Sequence, residues 1–285
     1  IQKIRVGSSL EITGTLVLTP EMKQPFEVKA ESVVLLGDAP EDYPIQPKRH
    51  TREFLREVAH LRMRTNLFQA VFRVRNEAAF AVHKFINERN FIYTHTPLIT
   101  ANDGEGAGSM FQVTTLNLEK LRDAKSVDYQ KDFFGKPTYL TVTGQLEGEA
   151  YAMAFRNIYT FGPTFRAENS NTQRHASEFW MIEPEMAFCD LKQNMDIAED
   201  MIKSVVSYVR DKCSSEIEFF NKFVDKGLIE RLDNVLEKPF SRVTHKEAID
   251  ILLSANKVFE NEPKHGRDLN TEHEKYLTDE YFKSP

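Results

Sequence analysis

Residues 158–188, IYTFGPTFRAENSNTQRHASEFWMIEPEMAF, constrain the fold more than any other stretch of the chain. They read as two apolar strands joined by a long polar loop. Phe161, Pro163 and Phe165 precede Arg166-Ala167-Glu168, and Phe179, Met181, Glu183 and Glu185 recur at every second residue on the return. Residues two apart on a strand share a face. One face therefore carries Arg166 and Glu168 outbound, and Phe179, Glu183 and Glu185 inbound. An arginine fork can hold two phosphate oxygens, and a flat ring can lie under a purine, so this face is a candidate nucleotide cradle. Each residue taken singly has a plainer reading: Arg166 and Glu168 as a cross-strand ion pair, Phe179 as a core ring. The combination in this spacing points to the cradle.

The remaining chain frames that hairpin. Residues 1–36 carry LEITGTLVLT and FEVKAESVVLL, rich in Val and Thr around a turn, and are expected to form strands like the last ones of a small barrel. Residues 37–47, GDAPEDYPIQP, hold Pro40, Pro44 and Pro47 among acidic residues, the composition of a linker. Between 48 and 75, eight basic residues (Lys48, Arg49, Arg52, Arg56, Arg62, Arg64, Arg73, Arg75) face only Glu53 and Glu57, although the whole chain has a formal charge of −6. That excess suits a phosphate backbone or, equally, a solvated helix face. Leu67, Val71, Val74, Ala78, Val82 and Phe85 follow the 3.6 period of a long amphipathic helix, and 91–100, FIYTHTPLIT, is expected to be one strand. Later helices are expected behind two capping signatures, Asp196-x-x-Glu199 and Thr244-x-x-Glu247, with Phe219, Phe220, Phe223 and Val224 as core. Helices and strands mixed without a regular βαβ repeat indicate an α+β fold with a largely antiparallel sheet.

Some chemistry is excluded by what the sequence lacks. Two cysteines, Cys189 and Cys213, are too few for a disulfide framework or a zinc site and are expected to be buried thiols in a reducing cytoplasm. No apolar run approaches the ~20 residues of a membrane span, and the start Ile1-Gln2-Lys3 does not resemble a signal peptide. The histidines are scattered, and nucleophile-elbow and His-Glu-x-x-His patterns are absent. Residues 101–110, ANDGEGAGSM, form a glycine-rich loop around Glu105, mobile like a lid or else a plain surface loop, but not a phosphate loop. Gly144 then opens a helix on which Gln145 and Glu149, four apart, share a face; they are either capping groups or part of a site.

FRAENSNTQRHASEFWMIEPE resembles motif 2 of the class II aminoacyl-tRNA synthetases, Phe-Arg-x-Glu, a variable loop, then Arg-His-x-x-Glu-Phe. The long helix followed by FIYTHTPLIT resembles motif 1, with Pro97 in the motif-proline position. RAENSNTQRH, EGAGSMF and TVTGQLEGE are most similar to the aspartyl/asparaginyl subgroup, and within it to the asparagine-specific members. The resemblance implies a class II antiparallel sheet flanked by helices in 65–285, a partial OB-fold anticodon-binding barrel in 1–36, and a linker or hinge in 37–64. It implies activation of L-asparagine with ATP and Mg2+, ligation to tRNA(Asn), a cytoplasmic location and a homodimer built on 65–100.

By the same resemblance, Arg166 holds the ATP α-phosphate and the substrate carboxylate, and Glu168 lies near the adenine and the acceptor end. Arg174 and His175 approach the outer phosphates, and Phe179 stacks on adenine. Glu105 closes over the substrate ammonium, and Gln145, Glu149 and Glu183 complete the amino-acid pocket. Aspartate-specific relatives place a lysine three positions after the pocket glutamine; here that position is Gly148, followed by Glu149, which would repel aspartate and accept a bond from an amide. An aspartate-specific or dual-specificity synthetase, a synthetase-derived asparagine synthetase, and a non-catalytic tRNA-binding or dimerisation module are the competing readings. A third motif, Gly-x-Gly-x-Gly-x-x-Arg, and the acidic metal ligands near it find no counterpart after Phe188. These 285 residues are therefore expected to resemble an N-terminal fragment that adenylates poorly alone, with no metal site of its own.

Overall fold

The computed structural model describes residues 4–22, 24–104, 106, 108–122, 124–169 and 175–285. Its contacts divide the chain into two compact units, Ile1–Asn76 with Cys213–Lys226, and Glu77–Lys212 with Gly227–Pro285.

In the first unit, β1 (Ser9–Leu18) and β2 (Phe26–Gly37) form an antiparallel two-stranded sheet. Gly14 sits at a register shift, where a Cβ would fall 2.3 Å from the Lys29 carbonyl oxygen, so the bulge requires glycine. Apolar side chains are exposed on both faces, including Ile12 and Leu16 on one and Val17 and Val34 on the other. The proline-rich segment, expected as a linker, is packed within this unit. Ala39, Tyr43 and Ile45 are buried with Leu55 of α1 (Arg52–Glu57), and Phe54 and Val58 close over them. Part of the basic stretch is spent internally: Arg64 donates to the Tyr43 hydroxyl at 2.7 Å, Arg62 lies over Phe68 at 4.7 Å, and Arg73 pairs with Glu216 at 3.4 Å. Lys48, Arg49, Arg52 and Arg56 remain exposed.

The expected long helix is α2 (Asn66–Asn87), whose residues from Glu77 onward belong to the second unit. Val82, Phe85 and Ile86 from this helix, Phe91 after it and Tyr159 form the central core there. The single strand expected over 91–100 is two short ones in different sheets, β3 (Ile92–Tyr93) and β4 (Ile99–Thr100). Pro97, between them, has no N–H to continue a ladder. After β5 (Gln112–Val113), the polar excursion contains a one-turn helix α3 (Leu118–Leu121) and returns through β6 (Thr138–Leu140), which pairs antiparallel with β4 and β5. The excursion is pinned by buried Asp132, which accepts from the Thr114 hydroxyl at 2.6 Å, and from the Thr115 N–H and hydroxyl at 2.9 and 2.8 Å.

Helix α4 (Gln145–Phe155) leads into β7 (Asn157–Phe165) and β8 (Glu178–Met186). The hairpin forms in the expected register: Thr164 opposite Phe179, Gly162 opposite Met181, Thr160 opposite Glu183, Ile158 opposite Glu185, with β3 parallel on the other side of β7. In α4 Gly148 and Ala152 are buried, whereas Leu146, Ala150 and Ala154 are exposed, because only one side of this helix meets the hairpin.

Helix α5 (Leu191–Lys212) lays Ile197, Met201 and Val205 on the core. Its start is not the expected Asp196–Glu199 box. Asp190 accepts from the Gln193 N–H at 2.8 Å, and Gln193 Oε1 accepts from the Asp190 N–H at 3.0 Å, a reciprocal cap six residues earlier. Asp196 and Glu199 lie inside the helix, where both bind Arg242, at 2.6 and 3.3 Å. Helix α6 (Ser214–Phe223) buries Ile217, while Phe223 and Val224, expected in the core, are exposed. The second expected box is present: Thr244 and Glu247 cap α8 (His245–Ser254) after α7 (Leu228–Glu237). Cys213 is buried and Cys189 only half-buried, neither in a disulfide.

Candidate functional site

The hairpin register puts Phe179, Glu183 and Glu185 on one face. Beyond β7 the backbone continues the ladder, with the Arg166 N–H donating to the Ser177 carbonyl at 3.1 Å, so Arg166 follows Thr164 on the Phe179 side. The Arg166 guanidinium carbon stands 5.6 Å from the Phe179 ring centroid, and both residues are half-buried. Its Nε is buried and finds no hydrogen-bond partner among the described residues. A buried donor left unpaired costs about 1–3 kcal/mol, so this orphan atom favours a ligand that supplies an acceptor. Glu168 is exposed one step further on, and His175 is exposed at the start of the return. Arg174 and Glu105 lie outside the described residues.

The other end of the same face is acidic. Glu183 accepts three donors: the Thr143 hydroxyl, the Gly144 N–H at 3.1 Å and the Thr160 hydroxyl at 2.9 Å. Its carboxylate thus sits at the N-terminus of α4, where the helix dipole favours negative charge. Gln145 is anchored through its N–H to Thr143 Oγ1 at 3.1 Å, and its side-chain amide donates to Glu149 at 3.0 Å. The expected shared face of Gln145 and Glu149 is therefore a direct hydrogen bond, and Glu149 is exposed. The sequence reading left open that Gln145 and Glu149 merely cap the helix; the cap is instead Gly144, with the carboxylate supplied from β8. A small cavity lies alongside, lined by Thr96, Thr141, Gly144, Thr160, Gly162 and Glu183. Burial first, and then the charges of Glu149 and Glu183, push the Glu185 carboxyl above its ordinary value.

Glu183 is six ladder steps from Arg166, about 20 Å along the strands. The face is therefore bipolar, with the Arg166 guanidinium at one end and clustered carboxylates at the other. Such a face suits a ligand with an anionic group toward Arg166 and an amide or ammonium toward Glu183. Among the described residues, no group of three or more His, Cys, Asp or Glu is placed to hold a metal.

The Thr143, Gly144, Thr160 and Glu183 cluster was missed as a unit in the sequence, although TVTG and the alternating glutamates each stood out. Its members come from three segments that only the sheet brings together.

Residues 51–284 match the family model described as tRNA synthetases class II (D, K and N), and the chain belongs to that family and has its fold. Over its full length it is 65% identical to the asparagine–tRNA ligase of Acholeplasma laidlawii (strain PG-8A) and 59% identical to that of Alkaliphilus oremlandii (strain OhILAs). It spans 62% of the length of each of these relatives. The asparaginyl-tRNA synthetase from Pyrococcus horikoshii, solved with asparaginyl-adenylate, matches with a TM-score of 0.79 at 27% identity, over 98% of this chain and 58% of that one.

Proposed function

We propose that the full-length protein activates L-asparagine with ATP and ligates it to tRNA(Asn). The observation that carries this reading is Arg166, held over Phe179 with an orphaned buried Nε at one end of a strand face whose other end is acidic. In this scheme Phe179 supports the adenine, and Arg166 binds the α-phosphate and the substrate carboxylate. The asparagine carboxylate attacks the α-phosphorus in line, pyrophosphate leaves, and a terminal hydroxyl of the tRNA then attacks the adenylate. Catalysis is positioning plus stabilisation of charge on phosphorus, without a covalent enzyme intermediate. Glu168 lies near the adenine and acceptor end, Arg174 and His175 serve the outer phosphates, and Glu105 covers the ammonium. Mg2+ accompanies the nucleotide, with ligands outside these residues.

Gln145, Glu149 and Glu183 form the amino-acid pocket, with Glu149 reading the side-chain amide. At position 148, where aspartate-specific relatives carry lysine, a Cβ would lie 3.5 Å from Ile158 and 3.7 Å from Glu185. With carboxylates around it and no lysine, the pocket disfavours aspartate. A polar pocket of this kind can discriminate by ~10⁴–10⁵, because the wrong substrate leaves buried groups unpaired. The finer architecture belongs to the same reading: a partial OB-fold in 1–36 that binds anticodon bases, a hinge in 37–64, the start of the catalytic domain in 65–285, a homodimer through 65–100, and a cytoplasmic location.

Asparagine-dependent ATP–pyrophosphate exchange by the full-length protein tests the proposal. Glu149→Gln is expected to lower it at least tenfold; unchanged exchange refutes the Glu149 assignment. A chain that binds neither ATP nor asparagine by calorimetry would instead be a non-catalytic tRNA-binding module.

A further inference from the structure

Among the described residues, the glycine-rich loop meets the hairpin at Gly108 and Ser109. The Ala167 N–H donates to the Ser109 carbonyl at 2.7 Å, fixing the loop backbone on the Arg166–Glu168 corner. Directly before that bond, a Cβ on Gly108 would fall 2.4 Å from Glu168 Oε1, and 3.4 Å from Cγ and Cδ of Arg166. Gly106 and Gly135 have open space at the same position, and both have left-handed φ, +69° and +66°. Those two satisfy a backbone conformation, whereas Gly108 satisfies a close approach.

We propose that Gly108 is a positioning residue for Glu168: its missing side chain leaves the volume that the Glu168 carboxylate occupies. The inference rests on the functional reading above, which gives Glu168 and Arg166 their roles at the nucleotide. The Ser109–Ala167 bond prevents the loop from backing away, so an added methyl group must move the side chain it meets. The contacted atom is the far end of a flexible, exposed glutamate, which rotates at little cost to the fold. Alanine at 108 therefore displaces a functional carboxylate while sparing stability.

The test is Gly108→Ala in the full-length protein, with exchange kinetics and thermal unfolding. A misplacement of this size is expected to cost about 10- to 100-fold in kcat/KM for ATP. The KM for asparagine should hold, since the pocket around Gln145 and Glu149 is at the other end of the face, and the thermal midpoint should move by no more than about 2 °C. Glu168→Ala should also lose activity, and the double variant should be no worse than Glu168→Ala alone, because the added methyl then meets no carboxylate. Wild-type kinetics for Gly108→Ala, additive losses in the double variant, or a large fall in thermal midpoint would each overturn the inference. Absence of asparagine-dependent exchange in the unsubstituted protein would instead refute the functional reading, and this inference with it.

Discussion

Glu183→Ala removes the acceptor that joins three segments of the site. Thr143 and Thr160 are 8% and 5% exposed, Gly144 is buried, and each donates to this one carboxylate. Hydrogen bonds to a charged acceptor contribute about 1.5–3 kcal/mol each, and a stranded buried donor costs about 1–3 kcal/mol. The two hydroxyls can turn toward other acceptors, but the Gly144 N–H cannot. Discounting them for that freedom leaves a loss of about 3–5 kcal/mol for alanine. Glutamine keeps the volume and one carbonyl oxygen for Gly144 and Thr160, and its NH₂ can donate to a rotated Thr143, so it should lose about 1–2 kcal/mol. Urea denaturation at pH 7 measures both, and hydrogen exchange at Gly144 and Gln145 should speed up in step with the loss. An alanine variant within about 0.5 kcal/mol of wild type, or one no worse than glutamine, would show that the carboxylate does not anchor the helix.

Two further outcomes concern pH. The Glu185 carboxyl is raised by burial and by Glu149 and Glu183, so its contribution is fully favourable only below the ordinary 4.5 and fades as pH rises through its folded value. Glu185→Gln should therefore be more stable than wild type in urea at pH 7.5 and indistinguishable from it at pH 4.5; the same difference at both pH values would contradict this. Asp132 is shifted the opposite way, held far below the ordinary 3.8 chiefly by the Thr114 hydroxyl and the Thr115 N–H. Its contribution is present above that value and is lost progressively as pH falls below it. Asp132→Asn should lower the thermal midpoint at pH 7, with the gap to wild type narrowing toward pH 3; a gap independent of pH would count against the carboxylate's role.

Much of the site was legible because it is local. The period-two run from Phe179 to Glu185, the polar loop and the Gly144 helix start are all short-range signals, and the hairpin register confirms the face they predict. The Thr244–Glu247 box was legible for the same reason. The Asp196–Glu199 signature misled because the pattern alone cannot separate a cap from a helix interior: Asp190 and Gln193 made the cap, which left Asp196 and Glu199 free to bind Arg242. The linker reading missed the burial of Tyr43 and Ile45 because prolines and acidic residues describe composition, while packing depends on where Leu55 and Val58 return.

The sequence by itself determined which residues share the hairpin face, since strand and helix periodicity follow from backbone geometry, and its motifs matched the chain to its family. Only the tertiary structure decided how those residues work together. Glu183 became the anchor of α4, Asp132 the pin of the polar excursion, and Gly108 the neighbour of Glu168. Each of these depends on contacts between residues far apart in the chain, set by sheet pairing and close packing that no local pattern encodes.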